Sequence, residues 1–138
     1  QTQFALNAMG PALVLKQALR LMPKDRPARF AALSARVGSI GDNALGGWYS
    51  YRAAKAALNQ LIHTGAVEVA RSHPQAVVVG LHPGTVATDL SAPFQKGVAA
   101  EKLFTPAYSA ERLLSVLDGL TPADSGGVFA WDGSQIPA

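Results

Sequence analysis

The chain has 138 residues, of which 49% are hydrophobic and 15% are charged; this composition excludes a disordered chain and predicts one well-buried, soluble domain. Twelve lysines and arginines against nine acidic residues give a formal net charge of +3, and the basic residues are scattered singly, without the run expected of a nucleic-acid-binding protein. The absence of cysteine excludes disulfides and thiolate metal sites and suits a reducing compartment, and no apolar run is long enough to span a membrane.

The predicted elements alternate between helix and strand along the chain. In chain order they are a helix over 4–22, a strand over 28–34, a helix over 49–71, a strand over 76–81, a helix over 109–120 and a strand over 126–133. This order predicts an α/β fold in which a parallel sheet is covered by helices on both faces.

Two connecting segments have their own composition. Residues 38–47 form a glycine-rich loop that leads into the second helix, but its glycine spacing does not fit a phosphate-binding fingerprint. Residues 91–106 mix Pro, Gly and Lys with apolar residues, which predicts a long mobile segment. Glu111 is predicted to lie in the first turn of the third helix, where its negative charge interacts favourably with the helix dipole.

The stretch YSYRAAKAAL, residues 49–58, places Tyr51 and Lys55 four residues apart on one face of the second helix. An isolated tyrosine has a pKa near ~10, and a neighbouring ammonium lowers that pKa and turns the phenol into a general acid or base. The same spacing is common in ordinary amphipathic helices, so the pair alone does not establish a catalytic site.

Three motifs together resemble the short-chain dehydrogenase/reductase family. They are LNAMG at residues 6–10, the Tyr51-x-x-x-Lys55 pair followed by AAL, and LHPGTVATDL at residues 81–90. The surrounding stretches SARVGSIGDN and GGWYSYR are most similar to its C-factor-like, carbonyl-reductase branch. Each motif also has a simpler interpretation: Asn7 could cap a helix that starts at Pro11, and His82 to Gly84 could be a strand-to-turn junction.

The resemblance implies a role for each matched residue. Tyr51 would be the general acid or base, and Lys55 would lower its pKa and hold the nicotinamide ribose. Asn7 would form a helix irregularity that holds a water next to Lys55 and connects this lysine to solvent. The cofactor-binding residues would be Tyr51, Lys55, Pro83, Gly84, Val86 and Thr88, the last two as partners of the carboxamide.

The serine of the family pattern is the point at which this sequence departs from it. The usual position, three residues before Gly38, is occupied by Ala35. We expect Ser39 to bind the substrate oxygen, with Ser34 as the rival candidate, and a chain with neither serine in place would lose an oxyanion donor.

Apolar side chains near these motifs could form the wall of a substrate site. The candidates for a rim and lid are Trp48, Phe94, Leu103 and Phe104, which could equally be packing residues. His82 could border the site, and it is assigned no role. His63 and His73 lack partners at metal-ligand spacing, so no metal is expected.

The resemblance further implies that residues 1–138 are a single but partial domain, the C-terminal part of a Rossmann-type doubly wound sheet that lacks the N-terminal dinucleotide-binding strands. The chain begins at Gln1, and we expect the intact protein to be roughly a hundred residues longer. The strand at 28–34 would then have an open edge, and the fragment by itself would be inactive.

The function implied is an oxidoreductase that transfers a hydride between NADPH, or less favourably NADH, and a carbonyl or alcohol substrate. The alternatives are a non-catalytic signalling or interaction protein on the same scaffold and a sugar-nucleotide epimerase, which also uses Tyr-x-x-x-Lys. The expected partners are a small-molecule substrate and further copies of the chain, in a homodimer or homotetramer through helices 4–22 and 49–71. We expect a cytoplasmic protein without nucleic-acid or membrane partners.

Overall fold

The computed structural model describes residues 1–138, apart from the side chain of Phe94. The helices are α1 (Thr2–Phe4), α2 (Gly10–Leu21), α3 (Tyr49–Ala70) and α4 (Pro106–Gly119). The strands are β1 (Ala28–Leu33), β2 (Ala76–His82), β3 (Thr85–Val86), β4 (Leu103–Phe104), β5 (Val128–Ala130) and β6 (Gln135–Ile136). Short 3₁₀ turns cover Arg36–Gly38, Ala92–Phe94, Ala100–Lys102 and Pro122–Asp124.

The main sheet has the strand order β1-β2-β5-β6, and β1, β2 and β5 run parallel. This confirms the α/β fold with a parallel sheet. The expected last strand over 126–133 is shorter, because the chain turns back after Ala130 and β6 pairs antiparallel with β5. Strand β6 does not follow from the sequence pattern. On the outer side of β1, no described strand is paired, which matches the expected open edge.

Strand β2 forms the centre of the core, since alternate residues point to opposite faces of the sheet. Val78 packs with Leu58 and Ile62 of α3 on one face. Val77 and Val79 pack on the other face, where α4 supplies partly buried apolar side chains. The β2 residues from Ala76 to Leu81 are all buried, as expected for a strand covered by helices on both sides.

The first helical segment is continuous from Thr2 to Leu21, but Ala5–Met9 forms a π-helical turn. Pro11 explains this widening in part, because proline has no N–H to donate to the carbonyl of Asn7 and its ring crowds that carbonyl. Gly10 N–H instead donates to the carbonyl of Ala5, five residues back. Asn7 therefore lies inside a helix irregularity, as the family resemblance implied, and is not the cap of a helix starting at Pro11.

The segment 91–106 contains more structure than a mobile loop would. Its end forms β4, which pairs in parallel with β3, and two 3₁₀ turns lie between them. The helix expected at residue 109 begins three residues earlier, because Thr105 accepts a hydrogen bond from Tyr108 N–H and Pro106 occupies the first turn. Glu111 is consequently not in the first turn of α4, which corrects the prediction.

Candidate active site

The carboxyl ends of β1 and β2 lie side by side, because the two strands are parallel and Leu33 is paired with Leu81. Ser34 extends this contact by donating its N–H to the carbonyl of Leu81 at 2.8 Å. The segments that follow both strands, residues 34–39 and 83–84, therefore meet at one edge of the sheet. Ligand sites of open α/β sheets are commonly formed at this edge.

Helix α3 brings Tyr51 and Lys55 to the same edge from its first two turns. Lys55 is buried, with 8% of its surface exposed, and its Nζ donates to the carbonyl oxygen of Leu33 at 2.9 Å. The same Nζ lies 5.9 Å from the centre of the Tyr51 ring. Gly38 lies against this part of α3, since a Cβ at that position would be 2.8 Å from the Cβ of Lys55. The phenol and the ammonium thus share one environment.

Burial, rather than charge, determines the protonation of both groups. Burial raises the pKa of Tyr51 above its ordinary value and lowers the pKa of Lys55 below its ordinary value, because desolvation disfavours each charged form. The prediction that Lys55 lowers the pKa of Tyr51 is therefore wrong for this structure. The ammonium is engaged with the Leu33 carbonyl, and Tyr51 carries its proton at neutral pH.

The two candidate serines are both buried but have different partners. Ser34 donates its hydroxyl hydrogen to Oδ1 of Asn59 at 2.5 Å. Ser39 accepts a hydrogen bond at its hydroxyl oxygen from the N–H of Asp42, at 3.0 Å. The proton of Ser34 is therefore committed to the protein, whereas the described contacts of Ser39 use only its oxygen. Ala35, at the usual serine position, is partly exposed.

Asn59 is a member of this cluster that the sequence analysis missed. It lies one helical turn beyond Lys55 on α3, so the spacing Tyr51, Lys55, Asn59 repeats every four residues. That repeat was readable in the sequence. The contact with Ser34 was not, because it depends on how the strand and the helix pack.

Asn7 lies in the π-helical turn, which packs against α3. Its side-chain Nδ2 donates to Oε1 of Gln3 at 2.8 Å, and the residue is only partly buried. Ala8 beside it is 4% exposed and anchors the turn to the body of the domain.

The segment after β2 has a backbone that only glycine accommodates easily. Gly84 has a φ of +75°, and a Cβ there would lie 2.6 Å from the Phe104 ring. The carbonyl of Pro83 accepts a hydrogen bond from the hydroxyl of Ser109 at 3.0 Å, which ties the segment to α4. The space that a side chain at position 84 would need is therefore occupied by the Phe104 ring.

Val86 and Thr88 are tied to Ser91 in the next turn. The hydroxyl of Ser91 donates to the carbonyl of Val86, and Ser91 N–H donates to Oγ1 of Thr88 at 3.3 Å. Thr88 itself is exposed.

His82 is the last residue of β2, and its Nδ1 is buried without a hydrogen-bond partner among the described residues. Burial and, to a smaller extent, the positive charge of Arg36 lower the pKa of His82 to about 4, and the negative charge of Asp132 partly opposes this shift. The imidazole is therefore neutral at physiological pH.

The expected apolar rim is only partly assembled. Phe104 lies beside Gly84 and contacts Tyr108 and Trp131, with ring centres 5.0 and 4.6 Å apart. Trp131 was not expected in this cluster. Trp48 is 56% exposed at the start of α3, where the Arg52 guanidinium lies 6.0 Å from its ring. The side chain of Phe94 lies outside the described residues.

The arrangement can hold part of a dinucleotide. Lys55 Nζ has three N–H donors, of which the described contacts use one, so two could donate to cofactor hydroxyls. Within the described part of the chain, no group of three His, Cys, Asp or Glu side chains could hold a metal ion. None of the described helices is both long enough and apolar enough to cross a bilayer.

The model of the short chain dehydrogenase family matches residues 1–99. Among curated proteins, the C-signal of Myxococcus xanthus is 35% identical over 135 residues, which cover 97% of this chain and 75% of that protein.

Several solved structures are similar over 98% of the chain, among them two carbonyl reductases. The carbonyl reductase Sniffer of D. melanogaster has a TM-score of 0.82 at 25% identity, and an NADPH-bound carbonyl reductase from chicken fatty liver has a TM-score of 0.78 at 29% identity. In each case the chain spans only 55% of the matched structure, so the similarity concerns about half of each reductase.

Proposed function

Because the chain belongs to the short chain dehydrogenase family, we propose that the intact protein transfers a hydride between NADPH or NADH and a carbonyl or alcohol substrate. The observation that carries the proposal is the shared environment of Tyr51 and Lys55 beside the carboxyl ends of β1 and β2. The bound nicotinamide would supply the hydride, and the protein would supply orientation and proton transfer.

Tyr51 is the proposed general acid when a carbonyl is reduced. As negative charge develops on the substrate oxygen, the phenol donates its proton to that oxygen, and a phenol with a raised pKa is fully protonated beforehand. In the oxidation direction Tyr51 would first have to lose its proton, and the resulting phenolate would accept the proton of the alcohol. Lys55 would hold the ribose hydroxyls with the N–H groups that the Leu33 carbonyl leaves unused.

Ser39 is the proposed donor to the substrate oxygen. Its hydroxyl oxygen accepts a hydrogen bond from Asp42 N–H, which leaves the hydroxyl proton for a ligand. The hydroxyl of Ser34, in contrast, donates its proton to Oδ1 of Asn59. Such a donor stabilises the charge that develops on the oxygen in the transition state.

The remaining matched residues are proposed to serve the cofactor. The backbone at Pro83 and Gly84 would face the nicotinamide, and Val86 and Thr88 would bind its carboxamide. Asn7, in its π-helical turn, would connect Lys55 to solvent for proton resupply. Dinucleotide-binding folds hold the pyrophosphate of the cofactor at a glycine-rich turn, and none of the site residues named above belongs to such a turn. The activity is therefore proposed for the intact protein and not for residues 1–138 alone.

An assay with the intact protein tests this proposal. NADPH and NADH are offered with a panel of aldehydes and ketones, and nicotinamide absorbance is followed. Tyr51→Phe is expected to lower kcat by ~10²-fold or more, because the acid is removed. Tyr49→Phe is the matched control, since Tyr49 lies two residues away and is 87% exposed. Unchanged turnover in Tyr51→Phe would remove this tyrosine from the mechanism.

The second candidate is a non-catalytic interaction protein on the same scaffold. The observation that favours it is Ala35 at the usual serine position together with the commitment of the Ser34 hydroxyl to Asn59. Absence of turnover with every cofactor and carbonyl pair, in a protein that still folds, would favour this candidate.

We further propose that the intact protein is a homo-oligomer through α2 and α3. Large apolar side chains on the first helical segment are exposed: Leu6, Met9, Leu13, Val14 and Leu21. Covering such a face by a second copy removes apolar surface from water. Light scattering at micromolar concentration should give at least a dimer, and a monomer would contradict the proposal.

A further inference from the structure

We propose that Arg52 is a positioning residue, whose guanidinium clamps the two loops that flank the candidate site and thereby fixes the start of the helix that carries Tyr51. The clamp itself is inferred from hydrogen-bond geometry alone. Its effect on catalysis rests on the proposed function.

The turn that enters α3 has an unusual backbone. Gly46, Gly47 and Trp48 have φ values of +68°, +74° and +50°, so three consecutive residues are left-handed. Glycine adopts this conformation at little cost, but in tryptophan the Cβ makes the left-handed backbone sterically unfavourable. Left-handed residues normally occur singly, so a run of three requires support from the surrounding structure.

Arg52 makes four hydrogen bonds with its side chain, and three of them support this turn. Its Nε donates to the carbonyls of Gly46 at 3.2 Å and Gly47 at 3.0 Å, and Nη2 donates to Gly46 at 3.0 Å. The guanidinium is a rigid planar fork, so it fixes the direction of both carbonyls at once.

The fourth bond reaches the other loop. Nη1 donates to the carbonyl of Val37 at 3.3 Å, in the 3₁₀ turn that leads to Ser39. One side chain therefore joins the segment that carries the candidate serine to the turn that starts α3.

Tyr51 depends on this clamp through its position. It is the third residue of α3, and the first hydrogen bond of the helix runs from Arg52 N–H to the carbonyl of Trp48 at 2.9 Å. Helix ends fray when their entry segment is loose. Displacement of a proton donor by about 1 Å can cost ~10²-fold in rate, so a loose turn would lower kcat.

The test compares Arg52→Ala and Arg52→Lys with the unmodified intact protein. Amide hydrogen exchange over residues 46–51 is expected to accelerate at least ~10-fold in both variants, with exchange in β2 unchanged. The lysine keeps the positive charge but lacks the fork, so it should not restore the clamp. We expect kcat to fall ~10-fold or more while KM for NADPH stays within about twofold, because Lys55 and Gly84 are untouched.

Arg71→Ala is the matched control, because it removes the same charge from the opposite end of α3, where Arg71 is exposed and makes no side-chain hydrogen bond among the described contacts. Arg52→Gln keeps two N–H donors, and it replaces Arg52→Ala in both measurements if Arg52→Ala does not fold. Free guanidinium at millimolar concentration, compared with sodium chloride at equal ionic strength, should partly restore kcat in Arg52→Ala.

Two outcomes would overturn the clamp: exchange over residues 46–51 equal to that of the unmodified protein in Arg52→Ala, or full retention of kcat and exchange protection in Arg52→Lys. The exchange measurement needs no substrate. If the unmodified protein reduces no carbonyl, the proposed function fails, while accelerated exchange in the variants still supports the clamp and unchanged exchange still overturns it.

Discussion

Lys55 of α3 donates from Nζ to the carbonyl oxygen of Leu33, the last residue of β1, at 2.9 Å. This bond joins the helix that carries Tyr51 to the carboxyl edge of the sheet. It also holds an ammonium in a buried position, where desolvation lowers the pKa of Lys55. A buried charge costs stability unless its partners compensate, so its presence here is better explained by chemistry than by folding.

Lys55→Met is therefore expected to separate activity from stability. Removing the ammonium loses one hydrogen bond but also removes the desolvation cost, so the free energy of unfolding should change by less than about 1 kcal/mol. Turnover should fall ~10²-fold or more, because the ribose partner is lost. Denaturant unfolding and steady-state kinetics of the intact protein measure the two quantities. Lys24→Met, at an exposed position, controls for loss of charge. A stability loss of several kcal/mol would show instead that Lys55 is mainly structural.

The two serines should respond to alanine substitution in opposite ways. Ser34→Ala leaves Oδ1 of Asn59 without its donor, so we expect a loss of about 1–3 kcal/mol in stability and little change in kcat. Ser39→Ala removes an acceptor for Asp42 N–H and the proposed oxyanion donor, so kcat should fall ~10- to 100-fold with a stability loss of about 1 kcal/mol. Urea unfolding and kcat, measured on both variants, test this. The reverse assignment would make Ser34 the substrate-binding serine.

Gly84→Ala should be more damaging than Gly97→Ala, although both glycines have a positive φ. At Gly97 nothing lies within 4 Å of an added Cβ, so only the left-handed backbone is penalised, by about 1 kcal/mol. At Gly84 the Cβ would also meet the Phe104 ring at 2.6 Å, which adds roughly 1–3 kcal/mol of overpacking. Thermal unfolding of both variants measures the difference. Equal losses would mean that Phe104 moves aside freely.

Sequence periodicity was sufficient for the long elements. The helix from Tyr49 and the strand from Ala76 lie where their apolar patterns predicted them, because each buries a regular face. The two-residue strands β3, β4 and β6 were missed, since so short a strand has no period and exists only through its partner. The start of α4 was misplaced because the Thr105 cap was overlooked.

The candidate site also has features that the sequence predicts and features that depend on packing. The pairing of Tyr51 with Lys55 follows from helical spacing, and so does their common face. Their protonation does not, because it depends on how deeply the packed domain buries each group. The role of Asn59 was equally hidden, since its partner Ser34 is 25 residues away in the chain.

His82 should make stability depend on pH in a defined window. Its pKa in the folded protein is about 4, whereas an unfolded histidine has a pKa near 6.5. Between these two pKa values His82 is protonated in the unfolded chain but not in the folded protein. Its contribution to stability is therefore fully present above about pH 6.5 and is lost as the pH drops from about 6.5 to 4. The shift corresponds to a loss of at most about 3 kcal/mol; burial is its main cause, and Arg36 and Asp132 are the charged neighbours that modify it.

Urea unfolding of the intact protein and of His82→Gln at pH 7.0 and pH 4.5 isolates this contribution, because all other titrating groups are common to both proteins. The difference in unfolding free energy between the two pH values should be about 2–3 kcal/mol smaller in His82→Gln. His63→Gln, which changes an exposed histidine of α3, should keep the pH dependence of the unmodified protein. If His82→Gln loses stability on acidification as steeply as the unmodified protein does, the imidazole must accept its proton in the folded state, and its Nδ1 must then have a partner that burial alone does not reveal.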